Sequence, residues 1–102
     1  MPRESVSLTA TVNTNVVTSS TVRVRKIGTN LVVVSGHFTP IGYGEYTVFT
    51  LPVTPAYSTQ IILQADVADS PITYGSVKTN GEATVLCMGA SAHRFNFCVP
   101  IV

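Results

Sequence analysis

The sequence predicts an all-β protein, a single antiparallel barrel or sandwich of about eight short strands. Three observations carry this. Apolar and polar residues alternate with period two in nearly every segment. Val and Thr recur throughout, while Lys, Glu, Ala and Leu never cluster as a helix requires. Breaks rich in Gly, Asn and Pro return at intervals of about 8–12 residues, the spacing of strands joined by hairpins.

The elements follow in order. Ser5 to Val12 reads as one half-buried strand, with Val6, Leu8, Ala10 and Val12 on one face and Ser5, Ser7, Thr9 and Thr11 on the other. Asn13 to Ser20 reads as a polar connection in which Val16-Val17 can extend a neighbouring strand. Thr21–Ile27 and Leu31–Phe38 flank Gly28-Thr29-Asn30, a three-residue hairpin loop. Pairing Ile27 with Leu31 sets Val24 opposite Val34, Val22 opposite Gly36, Arg23 opposite Ser35 and Arg25 opposite Val33. Residues 39–44, with Pro40, Gly42 and Gly44, read as an exposed mobile loop.

Glu45 to Leu51 resumes the strand pattern, Tyr46 and Val48 alternating against Thr47 and Phe49. The two prolines of Leu51–Ala56 make that stretch an edge crossing, because proline has no ladder donor. Gln60 to Val67 puts Ile61, Leu63, Ala65 and Val67 on one face with Gln64 and Asp66 behind. Asp69-Ser70-Pro71 turns the chain. Ile72–Lys78 and Glu82–Met88 flank Thr79-Asn80-Gly81, the strongest hairpin signal in the sequence. Gly89–Ala92 is a small-residue turn, and His93–Val99 closes the pattern with Phe95, Phe97 and Val99 on one face before Pro100 ends the ladder.

Length and charge restrict the function. The 102 residues suit one domain, residues 1–102, with 1–20 as an N-terminal strand and linker and 21–99 as the core. Six Lys plus Arg against five Asp plus Glu supply no basic stripe, which argues against nucleic acid as partner. Charged residues are 11% of the chain, where roughly 25% is usual. So neutral a surface predicts association with identical copies. No signal-peptide pattern opens the chain and no apolar run approaches membrane-helix length, which predicts synthesis in a cytoplasm without membrane insertion.

Catalytic and metal constellations are weak. His37, His93, Cys87 and Cys98 form no close ligand pair, so no metal and no cofactor is expected. Cys87 alternates with Ala83 and Val85, Cys98 with Arg94 and Asn96, so the thiols are expected on opposite faces, unbridged. No serine sits in a nucleophile elbow and no two of the scattered acids are nominated by spacing, which argues against a hydrolase. Arg23 and Arg25 suit carboxylate partners within the sheet or across a subunit boundary.

Neutral saccharides ask for a flat ring against the apolar sugar face and planar polar groups for the hydroxyls. The chain offers both. Tyr43, Glu45 and Tyr46 flank the Gly-rich loop, Tyr57, Gln64, Asp66 and Asp69 accompany the next strand and its turn, and His93 and Arg94 open the last one.

The run Val22-Arg23-Val24-Arg25-Lys26-Ile27-Gly28-Thr29-Asn30-Leu31-Val32-Val33-Val34-Ser35-Gly36, then Leu51-Pro52 with Pro55, then Thr79-Asn80-Gly81, resembles the C-terminal head domains of bacteriophage receptor-binding proteins, the lactococcal siphophage type above all. The resemblance spans about residues 20–99 and rests on hairpin and proline punctuation. It implies a homotrimeric β-barrel or sandwich head at the virion tail tip, bound to other phage tail proteins. Such a head attaches to a host cell-surface saccharide without cleaving it. The other expectation is a structural trimerisation or capsid or tail decoration module.

Overall fold

The computed structural model describes residues 5–66 and 72–102. Val67, the turn at Asp69-Ser70-Pro71 and the candidate Asp69 lie outside them. Nine strands follow in chain order: β1 (Ser5–Leu8), β2 (Thr11–Val12), β3 (Val17–Ile27), β4 (Leu31–Pro40), β5 (Tyr43–Thr50), β6 (Thr59–Ala65), β7 (Ile72–Val77), β8 (Glu82–Met88) and β9 (His93–Pro100). The described residues contain no helix, and all strands join one antiparallel sheet in the order β1-β3-β4-β9-β6-β7-β8-β5-β2, curled into a half-barrel.

The curl has a covalent cause. The N-terminal stretch, expected to be one strand, divides at Thr9-Ala10. Its first half pairs with β3, Leu8 opposite Val24, and its second with β5, Val12 opposite Phe49. These halves are the two outermost strands of the sheet. Three Cα–Cα steps of about 3.8 Å separate Leu8 from Thr11, so at this point the edges lie within roughly 11 Å of one another. The period-two reading survives the break, since Leu8, Ala10 and Val12 all pack against the core. Val6, further out along β3 opposite Lys26, is exposed.

Asn13 anchors the segment. Its Nδ2 donates to the Thr47 carbonyl at 2.9 Å, its amide donates to Val48, and its own carbonyl accepts from Val16 and Val17. The supposed connection 13–20 is therefore only a tight turn, after which β3 starts at Val17, which is buried.

The β3–β4 hairpin has the register expected, Ile27 with Leu31, Val24 with Val34 and Val22 with Gly36. The β7–β8 hairpin forms around Thr79-Asn80-Gly81, closed by Lys78 and Glu82 backbone bonds and by Gly81 at φ +91°. Elsewhere the sequence reading needs correction. Residues 39–44 are no exposed loop: β4 runs to a buried Pro40 and β5 begins at Tyr43, leaving a two-residue bend. The alternation in β5 also fails, because the register shifts between Thr47 and Phe49 against β8. Such a bulge turns two successive side chains inward, and Val48 and Phe49 are both buried. The Leu51–Ala56 crossing joins no strand and carries one isolated bridge, Pro55 with Ile101. Ala56 donates to Pro100 and Val102 to Thr54, so it closes over the chain's C-terminal end.

The core is a Val-rich interior threaded by four phenylalanines. Phe95 stands between Phe38, Phe49 and Phe97 at ring distances of 6.0, 5.4 and 5.8 Å. β6 alternates cleanly, Ile61, Leu63 and Ala65 buried and Gln60, Ile62 and Gln64 exposed. β7 turns its bulkiest residues outward. Its smaller, more polar Thr73 and its Val77 point inward, while Ile72 and Tyr74 are 67% and 57% exposed. Pairing imposes this, since Thr73 lies opposite the buried Leu63 and Ile72 opposite the exposed Gln64. Thr73 is satisfied by donating its hydroxyl to the Leu86 carbonyl at 2.6 Å.

Candidate functional site

The outward face of four neighbouring strands builds a groove. On β6 and β7, Gln60 lies opposite Ser76, and on β7 and β8, Ser76 lies opposite Thr84. Thr84 in turn faces Thr47 of β5, their hydroxyls 3.1 Å apart. One step along, Leu86 is paired with Glu45. With Tyr74, Lys78, Ser58 and Thr59, all of these except Thr47 line a groove of about 490 Å³. Gly75 forms its floor, and a Cβ there would stand 2.3 Å from the Thr84 carbonyl oxygen, so β7 and β8 approach as closely as they do only because the position is glycine.

The groove's chemistry is that of a neutral-ligand site. A half-exposed tyrosine ring gives a flat apolar surface. Around it stand the amide of Gln60, the hydroxyls of Ser76 and Thr84, one carboxylate at Glu45 and one ammonium at Lys78. The two charges offset one another, so the lining has no net formal charge and favours ligands bound by many hydrogen bonds.

The residues nominated by sequence do not converge. Glu45 alone lines this groove. Gln64 and Arg94, directly opposite one another on β6 and β9, line a second, more apolar groove of about 420 Å³ with Ile62, Ile72 and Asn96. Tyr43 is exposed at the start of β5; Tyr46 packs half-buried against the core and donates its hydroxyl to the Tyr43 carbonyl at 3.2 Å. Tyr57 is exposed on the 51–58 connection and Asp66 is exposed just past β6, and neither lines either of these two grooves.

His93 does not reach the surface at all. It is fully buried, stacked on Phe38 with centroids 5.4 Å apart. Its Nε2 accepts from the Met88 amide at 3.1 Å. Its Nδ1 lies 2.7 Å from the Ser91 carbonyl, which can only accept, so the ring is the neutral tautomer with hydrogen on Nδ1. Its parity with Phe95, Phe97 and Val99 is the signal that places it inside.

The sequence reading missed Tyr74, Gln60, Ser76, Thr84 and Lys78. Tyr74 lies outward because Thr73 and Val77, its neighbours of opposite parity on β7, are buried. The thiols lie as expected, Cys87 buried and Cys98 exposed, both free. Burial pushes the Cys87 thiol up to about 11. Among the described residues no group of three or more His, Cys, Asp or Glu side chains gathers to hold a metal ion. No described helix is long and apolar enough to cross a membrane.

In comparisons with known proteins, no protein-family model matches the chain and no curated protein sequence matches it.

Proposed function

We propose that this chain is a non-catalytic attachment module that binds a neutral cell-surface saccharide in the groove across β5, β8, β7 and β6, working as a homo-oligomer. The observation that carries the reading is the exposed Tyr74 ring set among Gln60, Ser76, Thr84, Glu45 and Lys78 in a groove of zero formal charge. The β-only architecture agrees with the resemblance to phage receptor-binding heads. On that resemblance the module belongs to the virion tail tip, beside other tail proteins and against a host glycan. Individual sites of this openness bind weakly, and several copies on one particle raise the avidity.

The test is a glycan array probed with the protein tethered at high valency. A saccharide is expected to bind, Tyr74→Ala is expected to lose about 3- to 10-fold in affinity, the worth of one aromatic contact, and Gln60→Ala is expected to weaken binding as well. Tyr57→Ala, outside the groove, serves as the control. No binding at any valency, or equal effects of Tyr74→Ala and Tyr57→Ala, overturns the reading.

A second reading, a structural decoration or assembly module, draws on a different observation: Ile62, Ile72 and Tyr74 stand 69%, 67% and 57% exposed side by side on β6 and β7. Loss of assembly with unchanged host attachment on altering these residues favours it.

A further inference from the structure

The near-balance of charge along the chain is not kept across the sheet. Four of the six Lys and Arg residues, Arg23, Arg25, Lys26 and Arg94, lie on the three neighbouring strands β3, β4 and β9, which carry none of the five acids. Arg23, Arg25 and Arg94 are exposed, and they share one face because β9 folds in beside β4 and brings the last arginine to the first two. Among the described residues the carboxylate nearest Arg94 in register is Asp66, whose amide bonds the Ala92 carbonyl, and no ion pair joins the two.

This cationic stretch leads into the groove at Tyr74. Arg23 is opposite Ser35 and Ser35 is opposite Asn96; Asn96 shares the second groove with Ile62, which is opposite Tyr74. Four interstrand steps of about 4.8 Å put Arg23 about 19 Å from Tyr74. Two hollows lie along this line. The second groove, about 420 Å³, holds Arg94 between the amides of Gln64 and Asn96 with the apolar Ile62 and Ile72 beside them. A cleft of about 200 Å³ at Ser7, Arg23 and Arg25 ends the line.

We propose that the saccharide extends from the Tyr74 groove across β6 and β9 to β3 and that its units over β9 and β3 carry carboxylates, so that the glycan recognised is acidic and only the part held at Tyr74 is neutral. The inference rests on the groove reading and names its ligand class. In the second groove the Arg94 guanidinium can take a ring carboxylate through two parallel N–H donors, with Gln64 and Asn96 supplying amide donors on either side. Ile62 and Ile72 receive the apolar side of the same ring. A carboxylate fits better than a phosphodiester because the apolar seat and the cation share one hollow, which suits a charge borne on the ring and not a charge held between rings. A nucleic acid asks for aromatic platforms beside its cations. β3, β4 and β9 offer none, since Phe38, Phe95 and Phe97 all pack into the core.

The tethered protein, probed on an array of uronate-bearing oligosaccharides and their carboxyl-reduced counterparts, tests it. The acidic forms are expected to bind about tenfold more tightly, and the difference to vanish in about 1 M salt, where exposed charges are screened. Arg94→Gln and Arg23→Gln, each checked for fold by circular dichroism, are expected to erase most of the preference. Lys26→Gln removes the same charge from the other parity of β3 and is expected to retain it. Equal binding of acidic and reduced forms, a preference that survives both arginine substitutions, or an equal loss in Lys26→Gln overturns the inference and leaves the Tyr74 groove standing. Tighter retention on phosphorylated glycans or on a thymidine oligonucleotide overturns it too. An acidic preference that needs Arg94 but is indifferent to Tyr74→Ala refutes the groove reading alone, and binding of no glycan at all refutes both.

Discussion

The imidazole of His93 accepts a hydrogen bond from the Met88 amide at 3.1 Å, tying the start of β9 to the end of β8. These strands are not neighbours in the sheet, β6 and β7 lying between them. A side chain thus bridges across the curl, and the turn between β8 and β9 is pinned at Ser91 by the same ring.

Replacing His93 by Phe keeps a ring on Phe38 and removes both nitrogens. The Met88 amide loses its acceptor in a buried setting, and the expected loss of stability is about 1–3 kcal/mol by urea denaturation. A loss of saccharide binding on folded His93→Phe protein, with no loss of stability, would instead make His93 a ligand contact.

Thr73→Val tests the inward-facing hydroxyl of β7. Valine matches the shape of threonine but cannot donate to the Leu86 carbonyl, and the hydroxyl it replaces is buried. A loss of about 1 kcal/mol is expected in chemical denaturation. A stabilised variant would show that burial of the polar hydroxyl, and not its bond, dominates at this site.

Gly36 and Gly28 make a controlled pair. At Gly36, φ is +139° and a Cβ would lie 1.9 Å from the Thr21 carbonyl oxygen; at Gly28, φ is +68° with open space around it. Gly36→Ala is expected to cost about 3 kcal/mol or more, Gly28→Ala about 1 kcal/mol from its left-handed backbone alone. Thermal melts of the two variants provide the comparison, and equal losses would mean that β3 and β4 do not approach closely at Gly36.

The two cysteines are expected to separate by reactivity. Cys98 is exposed and should react with a thiol reagent in the folded protein, whereas Cys87 should react only on unfolding. The buried thiol also sets an alkaline limit. Its folded value is raised from 9.0 to about 11, so as pH climbs through 9 the unfolded chain releases this proton first and stability falls. The contribution is complete below pH 9 and lost by about pH 11, amounting to about 3 kcal/mol. Urea midpoints across this range should fall more steeply for the native sequence than for Cys87→Ala; parallel curves would place Cys87 in contact with water.

What the amino-acid order determines here is local. Alternation with period two names the strands, and Gly28-Thr29-Asn30 and Asn80-Gly81 fix two hairpins, down to the facing of Val24 and Val34. These depend on backbone conformations that a few adjacent residues impose. Tertiary pairing decides the rest. That β9 inserts between β4 and β6, that the first strand divides to reach both edges, and that Thr73 faces inward while Tyr74 faces out all depend on partners distant in sequence. A groove built from residues 45 to 86 exists only after those strands have found one another. Residue chemistry alone points to the tyrosines and polar groups named from the sequence, and spacing along a chain carries no information about which strands become neighbours.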